Sequence, residues 1–412
     1  MKLTINNIGK LKNAEVEING ITVITGENDT GKSTVGKVLW SVFNSFYEIK
    51  KQVKKDKINS VLKESRGFPE IREFRQLRNK IVHSKFDDEF DLENLINQIK
   101  IKLESEKNDD EDIKKVLEKI KKIIDLSDDE VIEEIVQKNF DNEFNGQINN
   151  LNLTENGSIK LNIRKQELKL VFNSNKIQID EYFSLYAEAI LIDNPRIVDE
   201  LDLDELDLDF FLFFNNKDSH SLYLTRLLRK YKDLPATNRV LNKEKSLQIE
   251  KILNSVVGGN FKKNEMGAYI YKNNNGIDIN IKNLSTGLKT FSMMKLLLLN
   301  NEIEENGTII LDEPEIHLHP EWQLKFAELI VLLQKEFGMH ILLTTHSPYF
   351  VNALEVFSEK YGVDEKCKYY VAENVENSSI IKNVTDNTRE IYRKLARPIQ
   401  DLENIRYGDY GK

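Results

Sequence analysis

The sequence contains a single cysteine, Cys367, among 412 residues, which excludes an intramolecular disulfide. No apolar run approaches the roughly 20 residues that a membrane-crossing helix requires. The first residues, Met1 to Asn6, lack the charged segment and the apolar segment of a secretory signal. We therefore expect a cytoplasmic protein that does not insert into a membrane.

The composition is that of a globular protein, with 40% hydrophobic and 31% charged residues. The length corresponds to roughly two to three domains. A net charge of −9 argues against extensive coating of nucleic acid. The charge is unevenly distributed, however, because residues 51–85 are rich in lysine and arginine, whereas residues 193–209 are acidic. Any contact with nucleic acid should therefore be local.

Four short motifs with phosphate-handling chemistry follow one another along the chain. They are residues 26–34 (GENDTGKST), 284–289 (LSTGLK), 308–314 (TIILDEP) and 342–346 (LLTTH). Together, behind a phosphate-binding loop, they predict ATP binding and hydrolysis.

The first motif lies between a β-branched run, Ile21 to Thr25, and a segment with helical spacing, Val35 to Phe46. This order of strand, glycine-flanked loop and helix presents backbone N–H groups to a phosphate. Lys32 is expected to reach the β- and γ-phosphates, and the Ser33 hydroxyl to bind Mg²⁺. The residues predicted to bind ATP are Gly26, Asn28, Gly31, Lys32, Ser33 and Thr34.

Two carboxylates follow the predicted strand Ile309 to Leu311. We expect Asp312 to join Ser33 in holding Mg²⁺, and Glu313 to orient or deprotonate the attacking water. His346 follows another predicted strand, His340 to Thr345, and is expected to contact the γ-phosphate. Glu313 and His346 are therefore the predicted catalytic residues.

A predicted hairpin, residues 268–282, leads into a helix that begins near Leu288. Ser285 and Gly287 at its start would expose N–H groups and a hydroxyl to an anion, although an ordinary helix cap is the alternative. Farther along, His317 and His319 have no third ligand beside them and fall short of a zinc set.

In this order the motifs resemble the Walker A, signature, Walker B and switch histidine of the soluble ABC/SMC-like ATPases. The run 312–320 (DEPEIHLHP) narrows the resemblance to the RecF- and OLD-type group. The resemblance implies an α/β fold, an ABC-type P-loop ATPase head with helical insertions, and ATP and Mg²⁺ as cofactors. It also implies that two chains sandwich ATP, with Ser285 and Gly287 of one chain closing over the nucleotide of the other. Thr286 replaces a family glycine, and no glutamine is assigned to the Q-loop.

Lys32 and Asp312 are separated by more residues than a compact P-loop core needs, which indicates insertions. The predicted organisation is an ATPase head in residues 1–44, 151–195 and 251–412, a helical insertion in residues 45–150 and a second one in residues 196–250.

The first insertion contains the sequence RNKIVH, which resembles the Arg-polar-x3-His motif of the HEPN family of helical ribonucleases. Asn79 and His83 would share one helix face, as would Arg75, so that a general base could lie next to a phosphate-binding cation. The resemblance implies metal-free RNA cleavage, with Arg78, Asn79 and His83 as the candidate ribonuclease residues. The surrounding basic residues suit a nucleic-acid or partner-docking surface equally well, and a purely structural lobe is the third alternative.

Residues 347–412 are too few, and carry too few carboxylates, for the TOPRIM nuclease domain of OLD-type proteins. We therefore expect an ATPase that gates a separate effector, which would be a nuclease or toxin directed at nucleic acid. This arrangement resembles the ATPase components of the anti-phage systems Septu and PARIS. Expected partners are a second copy of the chain, the effector, and possible RNA or DNA. The alternatives are an ATP-gated HEPN-type ribonuclease and a RecF-like DNA-clamping repair ATPase.

Overall fold

The computed structural model of the protein describes residues 1–66, 111–202, 219–231, 233–265 and 267–408. The described residues fall into two compact units. We call them the sheet unit, drawn from residues 1–44, 139–183 and 187–412, and the helical unit, drawn from residues 45–138 and 184–186.

All the strands described belong to the sheet unit. They are β1 (Lys2–Ile8), β2 (Leu11–Glu17), β3 (Ile21–Gly26), β4 (Gly157–Ile163), β5 (Gln166–Asn173), β6 (Lys176–Glu181), β7 (Ala189–Ile192), β8 (Asn260–Lys263), β9 (Tyr269–Lys272), β10 (Asp278–Asn280), β11 (Thr308–Asp312), β12 (His340–Thr345), β13 (Cys367–Val375) and β14 (Ser378–Asn383).

Eleven of the described strands form one sheet, in the order β6-β5-β4-β1-β2-β14-β13-β3-β12-β11-β7. The run β13-β3-β12-β11-β7 is parallel, and β2 pairs parallel with β14. All the other neighbouring strands of this sheet pair antiparallel. The carboxyl ends of parallel strands meet at one edge of a sheet, where α/β proteins bind ligands. The residues that follow β3, β7, β11 and β12 therefore lie side by side.

The burial patterns explain this mixed arrangement. Every residue of β3 is buried, as expected for a central parallel strand covered on both faces. Strand β2, which lies between β1 and β14, instead shows mostly alternating burial, with lysine and glutamate side chains on its exposed face. Strands β8, β9 and β10 form a separate three-stranded sheet, which includes the predicted hairpin.

The helices of the described chain have these bounds: α1 (Lys32–Phe46), α2 (Ile49–Arg66), α3 (Glu111–Asp125), α4 (Asp128–Phe144), α5 (His220–Arg229), α6 (Ala236–Val256), α7 (Thr286–Leu299), α8 (Pro320–Phe337), α9 (Pro348–Tyr361), α10 (Arg389–Leu395) and α11 (Arg397–Gly408). None of the helices in the part of the chain that the structure covers is both long enough and apolar enough to cross a membrane.

The core of the sheet unit includes aromatic contacts between α7 and α8. The Phe291 ring meets the Phe326 ring edge-on, with centroids 5.3 Å apart. Both rings are almost fully buried, which stabilises the fold by roughly 1.5–3 kcal/mol for each side chain. The sheet and its packed helices confirm the predicted α/β class.

The helical unit contains helices α2 and α3. Helix α2 packs against α3, with Ile58 and Val61 buried on the former and Val116 and Ile120 buried on the latter. These residues follow the three- and four-residue spacing of an amphipathic helix.

Candidate active site

The phosphate-binding loop connects the carboxyl end of β3 to the first residue of α1, as the sequence predicts. Gly26 and Gly31 have φ angles of 152° and 76°, which L side chains rarely adopt. A Cβ atom at Gly31 would lie 2.9 Å from Cδ2 of Leu11, and one at Gly26 would lie 2.7 Å from the carbonyl oxygen of Ala372. Both glycines are therefore required by the path of the loop.

Lys32 is buried, with only 4% of its side chain exposed. Its Nζ donates hydrogen bonds to the carbonyl oxygens of Gly26, at 3.0 Å, and Glu27, at 2.7 Å. The ammonium group is therefore held across the mouth of the loop. Asn28 is exposed at the tip of the loop, while the Thr34 N–H donates to the Gly31 carbonyl oxygen at 3.2 Å in the first turn of α1.

Asp312 ends β11 in register with Thr344 of β12. The hydroxyl groups of Thr344 and Ser33 both hydrogen bond to its carboxylate. Burial raises the pKa of Asp312, the two hydrogen bonds partly offset this effect, and the negative charges of Glu313 and Asp193 add to the rise. The hydroxyl of Ser33 and the carboxylate of Asp312 thus form a pair of hard oxygen ligands, which fits Mg²⁺.

Glu313 adopts a left-handed backbone conformation, with φ of 48°. Its N–H is held there by the carbonyl oxygen and the hydroxyl of Thr344, each at 3.1 Å. The carboxylate lies between the Lys32 ammonium group and the His346 imidazole. Its Oε1 is 3.6 Å from Lys32 Nζ and 3.5 Å from His346 Nδ1. Strained backbone of this kind is concentrated at functional sites.

Glu315 is a site residue to which the sequence analysis gave no role. Its side chain is buried and accepts hydrogen bonds from the Thr345 hydroxyl and, at 3.3 Å, from the His346 N–H. Burial raises the pKa of Glu315. The residue therefore fixes the backbone that presents His346, and the repeated acidic residues of the 312–315 segment were the only sequence signal for it.

The five residues Lys32, Ser33, Asp312, Glu313 and His346 thus converge from β3, β11 and β12 on one edge of the sheet.

The signature segment begins α7. The exposed Ser285 is the N-cap, and its hydroxyl accepts from the Leu288 N–H at 3.4 Å. A Cβ atom at Gly287 would lie 2.9 Å from the carbonyl oxygen of His317, so this glycine permits close packing against the loop that follows β11. Ser285 thus acts as an ordinary helix cap, which was the alternative interpretation. A contact of Ser285 with the nucleotide of a second chain stays a prediction.

His319 caps α8, with its Nδ1 accepting from the Glu321 N–H at 3.4 Å. Within the described ranges, no group of three or more His, Cys, Asp or Glu residues could hold a metal ion. The predicted ribonuclease residues Arg78, Asn79 and His83 lie outside the described residues.

The chain is similar to several known proteins. The family model described as AAA ATPase domain matches residues 1–351. The Retron Ec83 probable ATPase of Escherichia coli is 24% identical over 271 residues, which are 57% of this chain and 49% of that protein. The Septu protein PtuA of Bacillus thuringiensis is 42% identical over 67 residues, 16% of each chain. The OLD nuclease of Thermus scotoductus is 36% identical over 85 residues, 20% of this chain and 16% of that protein. The chain thus spans about half, or less, of the length of these relatives.

Proposed function

The chain belongs to the AAA ATPase domain family, and from this premise we propose that it binds ATP with magnesium and hydrolyses it to ADP and phosphate. The observation that carries the proposal is the position of the Glu313 carboxylate, 3.6 Å from Lys32 and 3.5 Å from His346 at the mouth of the phosphate-binding loop. Phosphoryl transfer depends mainly on positioning and charge neutralisation, which such an arrangement supplies.

Each residue has a distinct part in this proposal. Lys32 neutralises phosphate charge from a position already fixed by two carbonyl groups, so little reorganisation is needed. Glu313 orients the attacking water and accepts its proton. His346 is positioned to donate a hydrogen bond to the phosphate from the far side of Glu313. Ser33 and Asp312 would hold magnesium, which neutralises phosphate charge when it is bound.

We further propose that ATP joins two chains, with Ser285 and Gly287 of one chain completing the nucleotide site of the other. The proposal follows from the signature resemblance and from the exposure of Ser285 at the start of α7. The N–H groups of a helix start favour an anion, and a phosphate held by a second chain would supply one.

The biological role that we propose is the gating of a nucleic-acid-directed effector in defence against phage. Support comes from the names of three relatives, a retron ATPase, a Septu protein and an OLD nuclease. The effector would be a separate polypeptide, and its identity is open.

Phosphate release from ATP by the purified chain tests the enzymatic proposal. We expect Lys32→Ala to abolish both ATP binding and phosphate release. Lys382→Ala removes a half-exposed lysine of β14 that pairs with Glu373 of β13, and it should behave as wild type. A wild-type chain that neither binds ATP nor releases phosphate would refute the proposal.

Incubation of the chain with total RNA, with and without ATP, separates the effector proposal from the ribonuclease alternative. Cleavage by wild type that is lost in His83→Ala would place the effector within this chain. Intact RNA, together with ATP hydrolysis, would favour a separate effector. DNA affinity that is unchanged by ATP would argue against the clamping alternative.

A further inference from the structure

A buried ionic cluster lies beside the candidate active site and has no part in the chemistry described so far. His220, the first residue of α5, bridges two carboxylates of the sheet unit. Its Nδ1 is 2.9 Å from both carboxylate oxygens of Glu143, in α4, and its Nε2 is 2.9 Å from Oδ2 of Asp193. Nζ of Lys37, in α1, is 3.6 Å from Glu143.

Two members of the cluster, Glu143 and His220, are almost completely removed from solvent. The side chain of Glu143 is 1% exposed and that of His220 is 10% exposed, and the Trp40 ring meets the imidazole edge-on at 5.9 Å between centroids. Burying such charges costs desolvation free energy, whereas burying well-packed apolar side chains does not. A purely structural role is therefore an expensive explanation for this arrangement.

Asp193 is more exposed than Glu143 and His220, with 32% of its side chain accessible to solvent. It immediately follows β7, in which Ile192 is in register with Leu311 of β11. The residue after Leu311 is Asp312, so the two aspartates lie side by side at the edge of the sheet. Both line one cavity of about 110 Å³, together with Glu313. A cavity of this size has room for several water molecules.

The charge state of Asp193 agrees with this position. Burial would raise its pKa, but the hydrogen bond and the charge of His220, together with the charge of Lys37, outweigh burial and lower the pKa. Asp193 is thus an ionised carboxylate whose Oδ2 is fixed by the imidazole.

We propose that Asp193 is an outer carboxylate of the magnesium site formed by Ser33 and Asp312, and that His220 and Glu143 are the residues that position it. The inference rests on the proposed ATPase function. An outer-shell carboxylate orients the ligands around a metal, and its loss typically weakens metal affinity or activity by about 10–100-fold. Asp193 is the metal-directed member, whereas His220 and Glu143 act only through it.

The binding of Mn²⁺, in place of magnesium, to the full chain with saturating ADP tests this assignment. The signal of free Mn²⁺ in electron paramagnetic resonance gives the affinity without any turnover. We expect Asp193→Asn to weaken Mn²⁺ binding by about 10-fold and His220→Gln to weaken it by a smaller factor. The affinity for fluorescent ADP in EDTA should not change in either variant, because the phosphate-binding loop is untouched.

Asp180→Asn is the matched control. Asp180 is also ion-paired, with Lys169 at 2.7 Å, and its side chain is 28% exposed. It lies on β6, however, which is the last strand of the sheet on the side away from β7. It should bind Mn²⁺ as wild type does. Thermal melting establishes that each variant is folded, and if His220→Gln does not fold, Asp193→Asn decides alone.

Wild-type Mn²⁺ affinity in Asp193→Asn would overturn the assignment while leaving the ATPase proposal intact. A wild-type chain that binds neither ADP nor Mn²⁺ would overturn both. A loss confined to Asp193→Asn and the His220 variant, with normal ADP binding in EDTA, would support the assignment.

Discussion

Glu313 is the side chain on which turnover should depend most. Glu313→Gln keeps the shape of the side chain and removes its capacity to accept a proton, so we expect kcat to fall by about 10²–10⁴-fold while ATP still binds. Single-turnover hydrolysis and fluorescent-nucleotide binding measure the two effects. Glu328→Gln is a matched control, because Glu328 is also ion-paired and is 21% exposed, against 22% for Glu313. Equal loss of hydrolysis in both variants would contradict the assigned role.

His220 should make the stability of the fold depend on pH. Burial lowers its pKa, but the hydrogen bonds and charges of Asp193 and Glu143 outweigh burial and raise it to about 9, against 6.5 in an unfolded chain. The stabilising charge is therefore fully present below about pH 6.5 and is lost as the pH rises through about 9. The effect is on the order of 3 kcal/mol, since one pKa unit corresponds to about 1.4 kcal/mol.

Urea unfolding of the wild type and of His220→Gln between pH 6 and pH 10 measures this dependence. The difference in free energy of unfolding should shrink towards alkaline pH. His340→Gln is the control, because burial lowers the pKa of His340 and its contribution changes only on the acid side. A difference that stays constant across the range would show that His220 is not held as an imidazolium.

Helix α1 rests on strand β11 without a side chain between them at Gly36. A Cβ atom there would lie 2.9 Å from Cγ2 of Ile310, so the helix and the strand can approach this closely only with glycine. Gly36→Val should destabilise the fold by about 1–3 kcal/mol and should weaken ATP binding, because Lys32 begins the same helix.

Urea unfolding of Gly36→Val, Ile310→Ala and the double variant tests this contact. The cost of Gly36→Val should be smaller in the Ile310→Ala background, where Cγ2 is removed. An equal cost in both backgrounds would place the strain elsewhere.

The elements differ in how far the sequence could predict them. The central strands were predicted closely, with β12 at its exact bounds, because short β-branched or apolar runs followed by functional residues are a strong local signal. Strands β1 and β2 received no prediction, because charged and asparagine residues interrupt their apolar pattern. Their place in the sheet depends on β4 and β14, which are distant along the chain.

The candidate site shows the same limit. Lys32, Ser33, Asp312, Glu313 and His346 belong to local motifs, and the structure brings them together. The cluster around His220 joins residues 77 and 27 positions apart, with no motif to reveal it. Only the three-dimensional packing of α4, α5 and β7 places them in contact.

The proposed ATP-linked dimer makes a prediction about the whole molecule. In Glu313→Gln, ATP should persist at the site and hold two chains together, giving a mass in light scattering of twice the 48.0 kDa of one chain. Without nucleotide the mass should be that of a single chain. Signature residues act on the partner's nucleotide in this arrangement, so a signature variant should lose the dimer and keep its own nucleotide affinity.

Ser285→Asp, combined with Glu313→Gln, isolates this effect. Aspartate is as good an N-cap as serine, so α7 should keep its start, while the added negative charge would repel the phosphate held by the other chain. Ser285→Thr retains a hydroxyl without the charge and is the control. We expect dimers with threonine and single chains with aspartate, at equal affinity for fluorescent ATP. A dimer that survives Ser285→Asp, or that forms equally well without ATP, would mean that the signature segment of this protein does not face a second nucleotide.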